Sequence, residues 1–268
     1  EHENDFEPDY EHATATDAER VSPVVVQPTP MNTPRTIVVG DLHGCHDEAL
    51  DLLDRLAVTS SDRVIFTGDL VDRGPKRREC VELAMRHECI LGNHEEKHVA
   101  MRLKPVEALF EDHAETRRVI ASEHLDWFAT LPLHVLLPEF GAVVVHAGVL
   151  PGIAIERQPA HTLLHAQCIR PPAPKSYWPS KAPDGWTFWT NHWRGPERVI
   201  FGHTVLDRPL VAEWAVGIDT GCVHGRTLTA VVLPDWRLVS VPARADYHGS
   251  KGRRTASYPV MDGVRCFS

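Results

Sequence analysis

The stretch TIVVGDLHGCHDE, residues 36–48, joins a short apolar run to a group of charged and metal-capable side chains. The run Thr36–Val39 is β-branched and apolar, which predicts a buried strand. Two aspartates and two histidines then follow between Asp41 and Asp47. Two interpretations are open at this point, since the stretch is either an acidic helix start or one half of a metal site. The remaining sequence has to supply the other half.

Short β-rich runs alternate with helical patterns from residue 35 to residue 103. The alternation predicts βαβαβα order, with parallel strands and right-handed crossovers. A hairpin around 139–141 and later short strands predict a second sheet, so two sheets, one parallel and one mixed, would pack together with helices outside. The predicted strands are 35–40, 62–68, 88–92, 198–202, 210–214, 215–219, 227–233 and 237–243. The predicted helices are 46–58, 75–86, 94–103 and parts of 104–133. Residues 166–196 are predicted to be irregular.

Two of the predicted helices carry local signals for their orientation and their start. In the helix 46–58, Leu50, Leu53, Leu56 and Ala57 fall on one side, and we expect this side to face the core. Pro75 is predicted to occupy the first helical position of the next helix, where a missing N–H does no harm.

The chain of 268 residues is long enough for one good-sized domain. Its net charge of −9 is concentrated at the start, since residues 1–20 carry eight acidic side chains and only Arg20 as a base. An acidic, core-poor run of this kind is typical of disorder. We therefore predict a disordered tail and Pro-rich linker over 1–34, a catalytic domain over 35–243 and a C-terminal tail over 244–268.

Cysteine spacing and hydropathy indicate the compartment. Six cysteines are scattered without a CxxC pair, which favours reduced thiols over a disulfide framework. No apolar stretch approaches the roughly 18 residues of a membrane span, and no basic flank with an apolar core marks a secretory signal. We predict a cytoplasmic protein that binds neither a membrane nor a nucleic-acid duplex, because no basic surface is indicated. The oligomeric state is left open.

Polar side chains follow several predicted strands at the point where each strand ends. The loop GDLVDRGP (68–75) follows the second strand and GNHE (92–95) follows the third. Ligands gather outside the carboxyl ends of strands in α/β sheets, where neighbouring loops converge. Oxygen and nitrogen donors without sulfur suit Mn²⁺, Fe or Zn²⁺, and a carboxylate in the central loop could bridge two ions. Asp69, in the central loop, is the natural bridge, and the residues that follow the strand ends are Asp41, His43, Asp69, Asp72, Arg73, Asn93, His94, His146 and His203.

These motifs resemble the calcineurin-like metallophosphoesterases, specifically the phosphoprotein phosphatase branch and its bacterial-type members. That branch has GDxHG, GDxVDRG, GNHE, H-(A/G)-G and a late GH in this order. One Gly-Asp pair would be weak evidence, whereas five motifs in order over about residues 35 to 233 are specific. The resemblance implies an α/β fold in which a two-sheet β-sandwich is flanked by helices. The matching segments are Gly40–Gly44, Gly68–Gly74, Gly92–Glu95, His146–Gly148 and Gly202–His203.

The resemblance also implies a dinuclear metal centre. Its ions would be divalent, with Mn²⁺ preferred over Fe or Zn²⁺, and a metal-bridging hydroxide would attack a phosphate monoester in line. The ligands carried over by motif are Asp41, His43 and Asp69 for the first ion, and Asp69, Asn93, His146 and His203 for the second.

Catalytic roles follow from the same resemblance. His94 would protonate the leaving oxygen as general acid, with Asp72 as its orienting carboxylate. Arg73 would bind phosphate oxygens through its planar guanidinium. A further phosphate-binding arginine is typical of the family, and both Arg170 and Arg194 fall in the expected region, with the spacing favouring Arg170.

Each of these residues also has a purely structural interpretation. Asn93 stands before a predicted helix, where Asn is a routine N-cap. Asp41 and Asp69 follow strands, where aspartates often stabilise turns. Asp72 and Arg73 could form a solvated ion pair of little value. The ordered set of motifs favours the metal site over these interpretations.

The substrate is open between three classes. The wording GDLVDRG and GNHE favours a serine/threonine protein phosphatase, which acts on phosphorylated proteins. Residues 217–232, GIDTGCVHGRTLTAVV, resemble the carboxyl end of symmetrical bis(5'-nucleosyl)-tetraphosphatases, which act on diadenosine tetraphosphate. Endopolyphosphatases are a third alternative. The motif wording leads us to predict a protein phosphatase, and Trp186, Trp189 and Trp193 are predicted to form a packed flap rather than a base-stacking platform.

Overall fold

The computed structural model describes residues 34–249, apart from the side chains of Ala173 and Pro174, so predictions for 1–33 and 250–268 lie outside the described residues. The helices are α1 (His46–Arg55), α2 (Arg77–Ala84), α3 (Asn93–Ala100), α4 (Glu111–Val119), α5 (Ser122–Phe128) and α6 (Ala160–His165). None of these described helices is long and apolar enough to cross a membrane. The strands are β1 (Thr36–Val39), β2 (Arg63–Phe66), β3 (Glu88–Cys89), β4 (His134–Leu137), β5 (Ala142–Val145), β6 (Cys168–Arg170), β7 (Ala173–Tyr177), β8 (Thr187–Phe188), β9 (Arg198–Phe201), β10 (Leu210–Val211), β11 (Ala215–Gly217), β12 (Thr227–Leu233) and β13 (Arg237–Pro242).

Two five-stranded sheets form the framework of the domain. In the first, ordered β13-β12-β1-β2-β3, the strands β1, β2 and β3 are parallel, and β12 pairs antiparallel with both β1 and β13. In the second, ordered β10-β11-β9-β5-β4, the three central strands are parallel and both edge strands are antiparallel. The predicted two-sheet fold with flanking helices is confirmed. The prediction of one wholly parallel sheet is wrong, because both sheets are mixed.

Three apolar clusters hold these layers together. Along β1, Val38 belongs to the cluster between the sheets, together with Val144 and Ile200 of the second sheet. Ile37 and Val39 belong instead to the cluster under the helices of the first sheet. Successive side chains of a strand point to opposite faces, so a strand covered on both faces is apolar throughout. This burial explains why the apolar runs mark the central strands so clearly.

Helix α1 buries a different side from the predicted one. Ala49 and Leu52 are fully buried, and Leu56 just beyond the helix is buried as well. Leu50 is 41% exposed, so the prediction that it faces the core is wrong. The buried positions are spaced by three and four residues, as in any amphipathic helix. The buried side of α1 therefore includes the small residue Ala49, next to the exposed Leu50.

Helix α2 begins later than predicted. Its first residue is Arg77, and Lys76 has a non-helical backbone conformation, so Pro75 precedes the helix. The backbone N–H of Lys76 donates to the carbonyl of Gly44 at 3.0 Å. This bond ties the start of α2 to the loop after β1.

The region predicted to be irregular contains a small third sheet, ordered β7-β6-β8. Trp189 and Trp193 are buried against the second large sheet, and the Trp189 ring packs edge-on to Phe201 at 5.0 Å. Trp186 is half-buried and packs edge-on to Tyr177 at 4.8 Å. The three tryptophans therefore serve packing in this part of the chain.

The first residues of the predicted C-terminal tail contact α1. The backbone N–H of Arg244 donates to Glu48 Oε1 at 2.9 Å, and the Tyr247 hydroxyl donates to the same oxygen at 2.8 Å. The domain boundary at 243 stays a prediction, but the chain as far as Tyr247 is anchored to the domain.

Candidate metal centre

The strands bring the motif side chains together at their carboxyl ends. Strand β1 leads into Asp41 and β2 into Asp69, while β3 leads into the turn before α3. Strands β5 and β9 lead directly into His146 and the Gly202–His203 pair. The strands β1, β2 and β3 are parallel neighbours, as are β5 and β9, so their loops open at one edge of the sandwich.

Asp69 lies at the centre of a buried cluster of histidines. Its Oδ2 is 3.4 Å from His43 Nε2 and 4.0 Å from His94 Nε2, whereas its Oδ1 is 3.5 Å from His146 Nε2. Potential ligand atoms of Asp69, His146 and His203 lie within 4.8 Å of one another, as do those of Asp69, His43 and His94. The two carboxylate oxygens thus face different histidines, as those of a carboxylate shared by two cations would.

The geometry around His146 fits a bound cation. Its Nδ1 donates to the carbonyl of Thr67 at 2.8 Å, which in the neutral ring leaves a lone pair on Nε2. That lone pair faces Asn93 Oδ1 at 3.0 Å and Asp69 Oδ1 at 3.5 Å, and both oxygens are acceptors as well. Three acceptors that converge in a buried site repel one another unless a cation lies between them. The donor set therefore suits a divalent metal ion.

Asp41 is fixed in the same site by two hydrogen bonds. Thr67 Oγ1 donates to its Oδ1 at 2.8 Å, and the backbone N–H of His203 donates to its Oδ2 at 2.8 Å. A Cβ atom at position 202 would overlap Asp41 Oδ1, so the motif requires Gly202. Burial, followed by the nearby carboxylate of Asp219, raises the pKa of Asp41 well above its usual range. A bound cation would favour the ionised form that a metal ligand needs.

The protonation states of the cluster also suit metal binding. Burial lowers the pKa of His43 well below its usual range, with help from the charge of Arg73. Burial does the same to the pKa of His203, with help from His146. Burial alone would raise the pKa of Asp69, but the surrounding histidines hold it below its usual range. The low pKa values of His43 and His203 favour their neutral imidazoles, and the low pKa of Asp69 favours its carboxylate. These are the forms that bind metal.

Asp72 accepts hydrogen bonds from four side chains of α3 and α4. His94 Nδ1 donates to its Oδ2 at 2.5 Å and His113 Nδ1 to the same oxygen at 3.0 Å. His98 Nε2 donates to its Oδ1 at 2.8 Å and Thr116 Oγ1 at 2.5 Å. Burial alone would raise the pKa of Asp72, but the hydrogen bonds from the histidines hold it below its usual range. A buried anion fixed in this way orients the imidazole of His94.

Arg73 contacts both sides of the cluster. Its Nη1 donates to His43 Nε2 at 2.6 Å and its Nη2 donates to His94 Nε2 at 3.1 Å. The same residue lines an open cleft of about 330 Å³. The guanidinium contacts both of these imidazoles and is therefore well placed for a phosphate group bound at the cluster.

Glu95 holds the loop that carries Asp69. Its carboxylate accepts the backbone N–H groups of Asp69 and Leu70, each at 2.8 Å, and that of Val71 at 3.3 Å. It also accepts the N–H of Gly92 at 3.2 Å. The last residue of GNHE is therefore an anchor for the neighbouring loop, a role that the sequence alone did not indicate.

Several site residues have a backbone conformation that residues other than glycine rarely adopt. The angle φ is 43° at His43, 50° at Asp69, 67° at both Asp72 and Arg73, and 62° at His203. These are five of the seven non-glycine residues with positive φ in the part of the chain that the structure describes. Strain of this kind persists only where the surroundings fix it, and it concentrates at functional sites.

The two arginines predicted as further phosphate ligands contact other parts of the protein. Arg194 donates to the carbonyls of Thr190, Asn191 and Trp193, at 2.7 Å in the shortest case. The guanidinium of Arg194 is therefore used in hydrogen bonds to the backbone of the preceding residues. Arg170 ends β6 and is exposed. The hydrogen bonds and ion pairs found over residues 34–249 connect neither arginine with the Asp69 cluster, and both assignments stay predictions.

Three residues of the site were missed by the sequence reasoning. His98 lies four residues after His94, hence on the same side of α3, and this spacing could have revealed it. Asp219 follows the end of β11, where the strand-end rule applies, and burial raises its pKa to about 6. His113 reaches Asp72 from α4, and no local pattern marks it.

Comparison with known proteins agrees with this geometry. The family model for calcineurin-like phosphoesterases matches residues 34–207. Curated relatives include the asymmetrical bis(5'-nucleosyl)-tetraphosphatase of Anoxybacillus flavithermus, which is 29% identical over 246 residues, or 81% of this chain and 97% of the relative. The enzyme of the same name from Bacillus subtilis is 27% identical over 249 residues, or 81% of this chain and 98% of the relative.

Solved structures show the same relationship. A crystal structure of a protein with the provisional name diadenosine tetraphosphatase is 32% identical, has a TM-score of 0.69, and is matched over 80% of this chain and 96% of that chain. A protein serine/threonine phosphatase from Saccharomyces cerevisiae, 20% identical with a TM-score of 0.50, shares the fold over 79% of this chain and 80% of its own. This chain therefore belongs to the calcineurin-like phosphoesterase family of metallophosphoesterases, which use a dinuclear centre of divalent metal ions.

Proposed function

We propose that this protein hydrolyses dinucleoside tetraphosphates with two divalent ions held around Asp69. The observation that carries the proposal is the match to curated dinucleoside tetraphosphatases along nearly their whole length, 97% for the relative from Anoxybacillus flavithermus. Those relatives are named asymmetrical, so diadenosine tetraphosphate would yield ATP and AMP rather than two ADP. This activity takes precedence over the protein phosphatase that the motif wording favoured.

The ligand assignment from the motifs fits the geometry of the cluster and is kept as part of the proposal. Oxygen and nitrogen donors without sulfur suit Mn²⁺, with Fe and Zn²⁺ as alternatives. When bound, the ions would supply Lewis-acid activation and neutralise charge on the phosphate. The first ion would be held by Asp41, His43 and Asp69, and the second by Asp69, Asn93, His146 and His203.

The remaining steps fall to three other side chains. His94 would protonate the leaving oxygen from Nε2, because its Nδ1 is committed to Asp72 at 2.5 Å. Asp72 would keep the imidazole in one orientation and stabilise its charge. Arg73 would exchange its contacts with the imidazoles of His43 and His94 for phosphate oxygens, to which a guanidinium binds through two parallel hydrogen bonds.

A serine/threonine protein phosphatase is the second candidate. The observation in its favour is the motif wording, GDLVDRG with Asp72 and GNHE with Glu95. Asp72 accepts four side-chain hydrogen bonds, and Glu95 anchors the loop that carries Asp69. Both motif residues therefore have a structural role. These roles would support hydrolysis of any phosphate ester, so the two motifs do not distinguish between the substrates.

Parallel assays with Mn²⁺ test the choice of substrate. We expect kcat/KM for diadenosine tetraphosphate to exceed that for a phosphoserine peptide by orders of magnitude, with ATP and AMP as products. The reverse preference would establish the protein phosphatase instead. Two ADP as products would indicate symmetrical cleavage, and faster turnover of long-chain polyphosphate would indicate an endopolyphosphatase.

We further propose that residues 35–243 suffice for the chemistry and that the acidic tail is an appendage. Removing residues 1–32 is expected to leave turnover of 4-nitrophenyl phosphate unchanged, because the ligand loops all lie within the domain. A deletion of residues 1–39 serves as control, since it also removes β1, which pairs with both β2 and β12. A tenfold loss of turnover in the shorter deletion would show that the tail takes part in the reaction.

A further inference from the structure

A half-exposed tryptophan lies at the rim of the candidate metal centre. Trp178 directly follows β7, and 53% of the residue is exposed. Its ring centroid is 5.7 Å from that of His203, with 34° between the two ring planes. From this position we infer that Trp178 forms a nucleobase-binding subsite, on which the base of a nucleoside polyphosphate stacks. The inference rests on the proposed function, for which it names the part of the site that recognises the nucleoside.

Trp178 differs from the other tryptophans in its exposure. The chain has seven tryptophans, all within the described residues, and Trp178 is the one that is exposed. Trp189 and Trp193 are 0% and 2% exposed, so neither offers a ring face to a ligand. An indole left half in water forgoes much of the stabilisation that its burial would give. Tryptophan is enriched at interfaces because its ring is apolar while its N–H can still donate a hydrogen bond.

The backbone that carries Trp178 is fixed on both sides. Tyr177 pairs with Cys168 of β6, and its ring packs edge-on to Trp186 at 4.8 Å. On the other side, the N–H of Lys181 donates to the carbonyl of Trp178 at 2.8 Å. The backbone that carries the ring is therefore already ordered, so stacking of a base on Trp178 costs little conformational entropy of the backbone.

The segment of chain that carries Trp178 has more basic than acidic side chains. Between residues 168 and 193 the charged side chains are Arg170, Lys175, Lys181 and Asp184, and all four are exposed. Bases outnumber acids in this segment, although the chain as a whole has a net charge of −9. Exposed basic side chains on the segment that carries an aromatic ring suit a ligand that combines a base with several phosphates.

Stacking predicts the chemical class of the ligand. Every nucleobase has a π-face, so an indole ring without base-edge contacts accepts purines broadly. The phosphates of the ligand would then extend from the stacked base toward His203 and the Asp69 cluster. We expect a site that prefers nucleoside polyphosphates to inorganic polyphosphates of equal length.

Competitive inhibition measures this preference directly. ATP and inorganic tripolyphosphate carry the same number of phosphates and differ in the nucleoside. Their inhibition constants against hydrolysis of 4-nitrophenyl phosphate would be measured at fixed free Mn²⁺ for the wild type, W178A and W178F. L103A is a matched control, because Leu103 is an apolar side chain with 93% exposure outside the site.

In the wild type, ATP is expected to inhibit about tenfold more tightly than tripolyphosphate. W178A should weaken inhibition by ATP by about 5- to 100-fold and leave the inhibition constant of tripolyphosphate unchanged. W178F should keep most of the preference for ATP. L103A should change neither constant. Equal inhibition by both compounds in the wild type, an unchanged constant for ATP in W178A, or a parallel loss for both compounds would each overturn the inference.

The outcome separates the subsite from the proposed activity. If the wild type fails to hydrolyse diadenosine tetraphosphate, the proposed function is wrong even where W178A abolishes the preference for ATP. If diadenosine tetraphosphate is hydrolysed and W178A leaves its KM unchanged, the activity stands and the role of Trp178 is refuted.

Discussion

Replacing Asp69 with Asn is expected to remove both divalent ions from the protein. The substitution keeps the volume of the side chain and an oxygen to accept the backbone N–H of His94, now bound at 2.9 Å. It removes the negative charge that faces His43 at 3.4 Å and His146 at 3.5 Å. Both ions are proposed to share this carboxylate, so the loss of metal affinity should exceed the roughly 10- to 100-fold caused by losing an outer hydrogen-bond partner.

Elemental analysis after Mn²⁺ loading and desalting measures this loss. D72N is the matched control, because it makes the same chemical change three positions along the same loop. Asp72 contacts His94, His98, His113 and Thr116, and none of these four is a proposed metal ligand. We therefore expect D72N to retain both ions while turnover falls. Two ions per chain in D69N would show that Asp69 does not bridge them.

The central strands could be predicted because burial on both faces leaves a clear pattern. The run TLTAVVL was assigned to 227–233, and β12 spans Thr227–Leu233. Its pairing with β1 was not predictable, since β1 lies roughly 190 residues earlier in the chain. Strand partners depend on how distant segments meet, and an apolar run contains no information about its neighbour. For this reason both sheets were found to be mixed although one was predicted to be parallel.

The ligand loops could be predicted because each follows the end of a strand. Parallel neighbours end at the same edge, so Asp41, Asp69 and Asn93 had to converge once their strands were placed. The hydrogen bond from His113 to Asp72 depends instead on how α4 packs beside the site. The positive φ angle at Asp69 is likewise imposed by the folded surroundings. Sequence reasoning therefore supplied the candidate ligands but not the contacts that orient them.

Replacing His94 with Asn is expected to abolish turnover and leave the metal content intact. His94 Nδ1 donates to Asp72 at 2.5 Å, and its Nε2 is 4.0 Å from Asp69, farther than the same atom of His43. As a general acid it would contribute about 10²- to 10⁴-fold to the rate. The loss should be largest for any residual turnover of phosphoserine, whose leaving alkoxide needs a proton. It should be smaller for diadenosine tetraphosphate and 4-nitrophenyl phosphate, whose leaving groups, a nucleotide phosphate and 4-nitrophenolate, are stable as anions.

The alternative role for His94 is that of a metal ligand, since its imidazole nitrogen lies within 4.8 Å of ligand atoms from His43 and Asp69. H94N distinguishes the two roles when kcat and metal content are measured on the same preparation. H113N is the matched control, because His113 also donates to Asp72 but lies on α4, farther along the chain. It should keep both ions and lose less of kcat than H94N. Loss of an ion in H94N would instead make His94 a ligand, and the proton for the leaving oxygen would have to come from another group.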